Sequence, residues 1–334
     1  MNRLSKLAST FLIGFAALFA LAGGARGAVL VGTALPVDFP VILDASLHTP
    51  LFGFGATGKV VHTPVVFVHG NNDTPFPTAC NAFYGDMHKV AQYFADHGYA
   101  LSELWGLGYQ GDQCDLGGDQ TIRSSQAHTA AANVDDLRRF VHAVLAYTGA
   151  SEVDIVGHSL GVVIAREWLR QDPGASRLVR RMVGIDGANH GIINCSPSPL
   201  NYWQLPANGG FTPASAICVE LGSPDTPFLQ RLNRGNEAQL PPADVLVIRN
   251  GDTGFVYFPT QDGFLPGVPA IDSFGKPTDF SGSARLRAVR DIDLTGQGVF
   301  DPILGTTHLG ILNSPRTWQA TFEFLSEHSH APVR

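Results

Sequence analysis

A three-layer α/β fold, a mostly parallel sheet with helices on both faces, is predicted by three observations on this 334-residue chain. Short β-branched runs lack polar alternation, as expected of strands buried on both sides. Stretches with apolar residues at helical spacing stand between them, and glycines close those stretches. Such strand–helix alternation implies parallel pairing through helical crossovers.

The elements follow in order. Val65-Val66-Phe67-Val68 reads as a buried strand ending at His69-Gly70. Residues 83–97 place Phe83, Met87, Val90, Ala91 and Phe94 on one helical face, and Gly98 stops the helix. The next strand signal is at 100–109, followed by a Gly/Asp/Gln loop. A long amphipathic helix at 127–147 carries Val134, Leu137, Val141, Val144 and Leu145 on one stripe and ends before Gly149. Then come a strand at 153–156, a helix at 162–170, strands at 179–185 and 245–248, a last strand at 286–292 and a terminal helix at 317–325. Residues 192–243 and 261–282 break the rhythm with Pro, Gly, Asn and aromatics, so they read as long functional loops or a lid.

The counts narrow the function. With 22 Lys+Arg against 29 Asp+Glu the net charge is −7, and no basic run exists to track a phosphate backbone, which disfavours nucleic acid as a partner. Hydrophobic residues at 44%, with 37 Gly and 22 Pro, describe a turn-rich globular body.

At the start, Arg3 and Lys6 precede an uncharged run from Phe11 to Ala22, then the small residues 23–28. A basic start, a short apolar middle and a small-residue cut describe a secretory leader. The run is shorter than the roughly 20 residues that span a bilayer, so no stable membrane span is expected. The reading is a leader at 1–27 and one domain at 28–334, exported to the periplasm or beyond and monomeric.

Export makes Cys80, Cys114, Cys195 and Cys218 candidates for two disulfides. Three pairings are possible. Cys80–Cys114 and Cys195–Cys218 are preferred because each closes a loop-rich stretch. No cysteine or histidine pair has zinc-ligand spacing. The acidic loop at 112–119 reads as solvated rather than as a calcium site. Neither metal nor cofactor is expected.

The chemistry sits after the strand at 153–156, in Gly157-His158-Ser159-Leu160-Gly161. Gly-x-Ser-x-Gly between a strand and a helix is a nucleophile elbow, with Ser159 at its tip. A serine hydroxyl needs a base. His308, in Thr307-His308-Leu309-Gly310, lies after the last strand and before the terminal helix, consistent with the chain order serine, acid, histidine. His158 reads as packed at the elbow, and His190 and His128 are minor competitors. For the acid, Asp252 follows the strand at 245–248. Asp262 is the second choice, and Asp291 or Asp293 could also reach. Two donors are needed for an oxyanion: the N–H of Leu160 and, after the first central strand, that of Asn71.

Together, Val66-Phe67-Val68-His69-Gly70-Asn71, the stretch from Val153 to Gly161 and Thr307-His308-Leu309-Gly310-Ile311-Leu312 resemble the class 2 lipases. These are bacterial extracellular α/β-hydrolases of the small lipase/esterase group. Ala146-Tyr147-Thr148-Gly149 leading into the strand at 153–156 is also similar to an extracellular depolymerase of native polyhydroxybutyrate granules. The resemblance covers about residues 60–190 and the surroundings of His308, and fails across 192–243 and 255–285. It implies an α/β-hydrolase fold and metal-free ester hydrolysis with Ser159 as nucleophile. A lipase or carboxylesterase for lipidic esters is the first reading, with Tyr202-Trp203 and the aromatics at 255–258 as acyl contacts. A polyhydroxyalkanoate depolymerase is the second. A hydrolase-fold binding protein without catalysis is the third.

Overall fold

The computed structural model describes residues 41–42, 51–52, 58–71, 73, 87–107, 129–197, 211–235, 237, 244–252, 267–287, 290–300 and 307–327. The expected leader, Cys80, Cys114, Asp262, His128, the loop at 112–119 and the aromatics at 202–203 and 255–258 lie outside these residues.

Two short strands, β1 (Val41–Ile42) and β2 (Leu51–Phe52), pair antiparallel. Among the described residues the main sheet has six strands: β3 (Val65–Val68), β4 (Leu104–Leu107), β5 (Val153–His158), β6 (Val179–Ile185), β7 (Asp244–Arg249) and β8 (Arg290–Asp293). They lie in the order β4-β3-β5-β6-β7-β8, and every neighbouring pair is parallel. The three-layer α/β expectation is met.

The unbroken apolar strands have a direct cause, since alternate side chains enter two different cores. Val66, Val68, Ile155, Met182 and Val247 pack with α2 (Ala130–Thr148) and α3 (Leu160–Gln171). Val65, Phe67, Val156, Val183 and Ile248 pack with α1 (Met87–Asp96) and α7 (Pro315–Ser326) on the opposite face. Each such side chain, fully buried, contributes about 1.5–3 kcal/mol. From β3 the chain moves outward to β4, and α2 then returns it past β3 to β5. The carboxyl ends of β3 and β5 therefore flank a topological switch point, where open α/β sheets place their ligands.

Several boundaries differ from the sequence expectation. The strand expected over 100–109 is a 3-10 turn, Leu101–Glu103, followed by β4, because the Glu103 side chain accepts the Ala100 N–H and closes the turn. Strand β5 continues through Gly157-His158, and α3 starts immediately after Ser159. The last strand is β8, beginning at Arg290 rather than near 286.

Among its described residues, the irregular stretch 192–243 contains two short helices, α4 (Ala216–Leu221) and α5 (Pro227–Leu232). Each has six residues, under two turns, so neither builds a readable helical period. Their Ile217, Cys218, Leu221, Phe228, Leu229 and Leu232 join the same core as α2 and α3. Cys195 and Cys218 form a disulfide that ties α4 to the segment leaving β6.

A second tie runs from α4 to α2. At the start of α2, where the first N–H groups have no carbonyl a turn earlier, Thr129 caps the N–H of Ala132 and the Glu220 carboxylate accepts from Ala130 (2.6 Å) and Ala131 (3.2 Å). Burial pushes the Glu220 carboxyl up to about 7, against the pull of these two N–H groups. Its folded value then exceeds its unfolded one, so the stability it contributes is present below about pH 4.5 and is lost as the pH rises through 7. Glu220→Gln is expected to flatten the decline of unfolding free energy between pH 5 and 7 by about 1–2 kcal/mol, discounting for partial exposure. Urea titrations at those pH values measure it, and an unchanged slope would refute the assignment.

The ladder between β5 and β6 contains one irregularity. Val153 pairs with Val179 but Ile155 with Met182, so β6 carries an extra residue opposite Asp154. Asp154 is fully buried and holds that bulge. Its Oδ1 accepts from Arg180 Nε (3.0 Å) and the Arg181 N–H (3.1 Å), and its Oδ2 from the Arg180 guanidinium. Among the described residues no helix is long and apolar enough to cross a membrane.

Candidate active site

The elbow at the end of β5 is held by a close approach of backbones. A Cβ on Gly161 would stand 2.1 Å from the Val68 carbonyl oxygen, so α3 can leave the sheet here only because residue 161 has no side chain. Ser159 has φ 53° and ψ −120°, and its N–H donates to the Ile185 carbonyl at 3.0 Å. Only one other described non-glycine residue has positive φ: Asp186, at 47°. Such backbone costs on the order of 1–3 kcal/mol per residue and persists where the surrounding structure enforces it, often at functional sites.

Asp186 follows β6 directly and is 1% exposed. Its N–H donates to the Ile248 carbonyl (2.8 Å), and its Oδ1 accepts from the Asn250 N–H at 3.4 Å. Its Oδ2 accepts a 2.6 Å hydrogen bond from Nδ1 of His308, the second residue of the short helix α6 (Thr307–Gly310). A carboxylate on Nδ1–H fixes the tautomer that leaves Nε2 as the basic nitrogen.

Here the structure departs from the sequence expectation. Asp252 was the first choice for the carboxylate beside His308, but it points elsewhere. Its two oxygens accept the Gly296 N–H at 2.8 and 3.0 Å, and its own N–H donates to Asn250 Oδ1 at 3.0 Å. The turn after β7 bends toward the loop that leaves β8, carrying Asp252 with it. Asp291 and Asp293 are also occupied, both by the Arg249 guanidinium. His190 lies in its own cluster, against the Ser283 carbonyl and Glu237, each at 3.1 Å. The sequence contained one usable signal for Asp186, an acid followed by glycine at the carboxyl end of the strand next to the elbow.

The loop after β3 reaches the serine. A Cβ on Gly70 would lie 3.0 Å from the Ser159 Cβ and 3.5 Å from its Oγ. The Gly70 carbonyl accepts from the Asp73 N–H (3.3 Å) and from His69 Nδ1 (2.8 Å), which fixes that peptide plane. The peptide is trans, so the N–H of Asn71 points the opposite way from that carbonyl. On the other side, the N–H groups of Leu160 and Gly161 open α3 without an acceptor from a preceding turn.

His158 closes the arrangement from behind. It is 1% exposed, its Nε2 lies 3.0 Å from the His308 carbonyl oxygen, and the two rings stand 4.6 Å apart at 34°. Burial first, and then the neighbouring His308, hold its imidazole well below the ordinary value, so the ring is neutral.

The family model for class 2 lipases matches residues 62–250, more than half of the chain. The chain belongs to the class 2 lipase family. As a class 2 lipase it is a lipolytic carboxylic ester hydrolase, and the matched span holds β3, the elbow and Asp186. Among solved structures it is similar to lipase B of Aspergillus fumigatus, with 18% identity and a TM-score of 0.46 over 87% of this chain and 57% of that one. It is also similar to the mature lipase BlEst2 of Bacillus licheniformis, with 16% identity and a TM-score of 0.48 over 81% and 95%. The chain thus spans a little over half the length of the Aspergillus enzyme.

Proposed function

We propose that this class 2 lipase hydrolyses lipidic esters by two-step acyl transfer through a Ser159–His308–Asp186 triad. The observation that carries the reading is the 2.6 Å hydrogen bond from His308 Nδ1 to Asp186 Oδ2, made beside a serine held at φ 53°. His308 Nε2 takes the Ser159 proton as Oγ attacks the ester carbonyl carbon, and Asp186 stabilises the imidazolium. The N–H groups of Leu160 and Asn71 receive the oxyanion. The imidazolium returns its proton to the departing alcohol, and water, deprotonated by the same nitrogen, releases the acid and restores Ser159.

The Cys195–Cys218 disulfide supports export as part of this reading, because a disulfide persists in an oxidising compartment. The leader at residues 1–27 would direct the chain there.

The test is a substrate panel: p-nitrophenyl butyrate, a long-chain triglyceride emulsion and native polyhydroxybutyrate granules, with fluorophosphonate labelling alongside. Release of fatty acid from triglyceride with no clearing of granules is expected. Clearing without triglyceride hydrolysis would move the substrate to a polyester. No hydrolysis and no labelled serine would overturn the catalytic reading in favour of a binding protein.

A further inference from the structure

The triad members are held in different ways. Ser159 and Asp186 are fixed by the ends of neighbouring strands, through N–H bonds to the Ile185 and Ile248 carbonyls. His308 belongs to no strand. It sits in a four-residue helix, and its side chain is anchored through Nδ1 to Asp186. Its main chain carries an anchor of its own.

His158 supplies that anchor, across 150 residues of sequence. A carbonyl oxygen only accepts, so the nitrogen facing the His308 oxygen at 3.0 Å must carry a hydrogen, and His158 is the Nε2–H tautomer. Its Nδ1 is buried and has no hydrogen-bond partner among the described residues. A Cβ on Gly70 would stand 3.2 Å from it, so the loop beside the serine seals that edge of the ring. One ring thus touches the oxyanion loop, precedes the nucleophile in the chain and bonds the backbone of the base.

We propose that His158 is a positioning residue for hydrolysis, its Nε2–H holding the His308 main chain so that the imidazole presents Nε2 to Ser159. The inference rests on the Ser159–His308–Asp186 reading. It assigns a task to the first variable position of the elbow, which the pattern Gly-x-Ser-x-Gly leaves open. A neutral ring suits the task, because a second cation beside His308 would oppose the imidazolium that forms during the reaction.

The experiment compares three variants of the full chain. His158→Phe keeps a planar ring and removes the donor. His158→Gln places an amide N–H about where Nε2–H stood, and His158→Asn places one about where Nδ1 stands. Expected for His158→Phe is a fall in kcat of about 10- to 100-fold with KM unchanged, and a parallel fall in the rate of fluorophosphonate labelling. His158→Gln should return both to within about fivefold of the parent, and His158→Asn should not. A Phe variant with parental kcat and labelling rate overturns the proposal. So does equal impairment of the Gln and Asn variants, which would make the residue a packing element only. If the Phe variant fails to fold, the Gln–Asn comparison decides alone. Failure of the underlying reading looks different, since Ser159→Ala would then retain hydrolysis while the parent enzyme took up no label.

Discussion

Ser159→Ala is expected to lower kcat for p-nitrophenyl butyrate by at least about a thousandfold and to abolish fluorophosphonate labelling, while the circular dichroism spectrum is retained. The loss is large because no acyl-enzyme can form without Oγ, and binding and oxyanion contacts alone support little turnover. The fold should persist because Ser159 is held by its backbone, through an N–H bond to Ile185. That backbone also predicts a difference between two inactive variants. Alanine keeps the strain of φ 53°, whereas glycine accepts it, so Ser159→Gly should be about 1–2 kcal/mol more stable than Ser159→Ala in urea unfolding. Retained activity in either variant would remove Ser159 from the mechanism.

The second large effect separates two aspartates. Asp186→Asn is expected to reduce kcat by on the order of 10⁴, since an asparagine at the 2.6 Å contact can no longer stabilise the imidazolium or hold the productive tautomer. Asp252→Asn should stay within about twofold of the parent, because the Asp252 carboxylate serves the Gly296 N–H and does not touch His308. Steady-state rates on one soluble ester suffice, and the reverse order would restore Asp252 as the acid.

These two aspartates show how far the sequence could be read. The α/β architecture was legible because every central strand is apolar on both faces, and that pattern survives without any knowledge of pairing. The strand–turn–helix joint at Ser159 was legible because its glycines are demanded by local contact, as the Gly161 approach to Val68 shows. The acid was not. Asp186 and Asp252 each follow a parallel strand, and both satisfy the order serine, acid, histidine. What separates them is the path of each turn in space: one backbone turns left-handed toward His308, the other bends to the β8 loop. Helices α4 and α5 are not legible in the sequence for a related reason. Their apolar residues answer to the α2–α3 core, and six residues are too few to display that dependence as a period.

The extra residue that β6 takes opposite Asp154 reaches further than its own neighbourhood. Before it the strands pair Val153 with Val179; after it they pair His158 with Ile185. Continued at the earlier offset, the ladder would have brought Ile185 level with Ser159, an apolar side chain on the opposite face of the pleat from Asp186. The inserted residue advances the frame by one and makes the Asp186 carboxylate the neighbour of Ser159. Under the proposed triad, strand register is in that sense a part of the catalytic apparatus, set by the Asp154–Arg180 ion pair at the far end of the sheet.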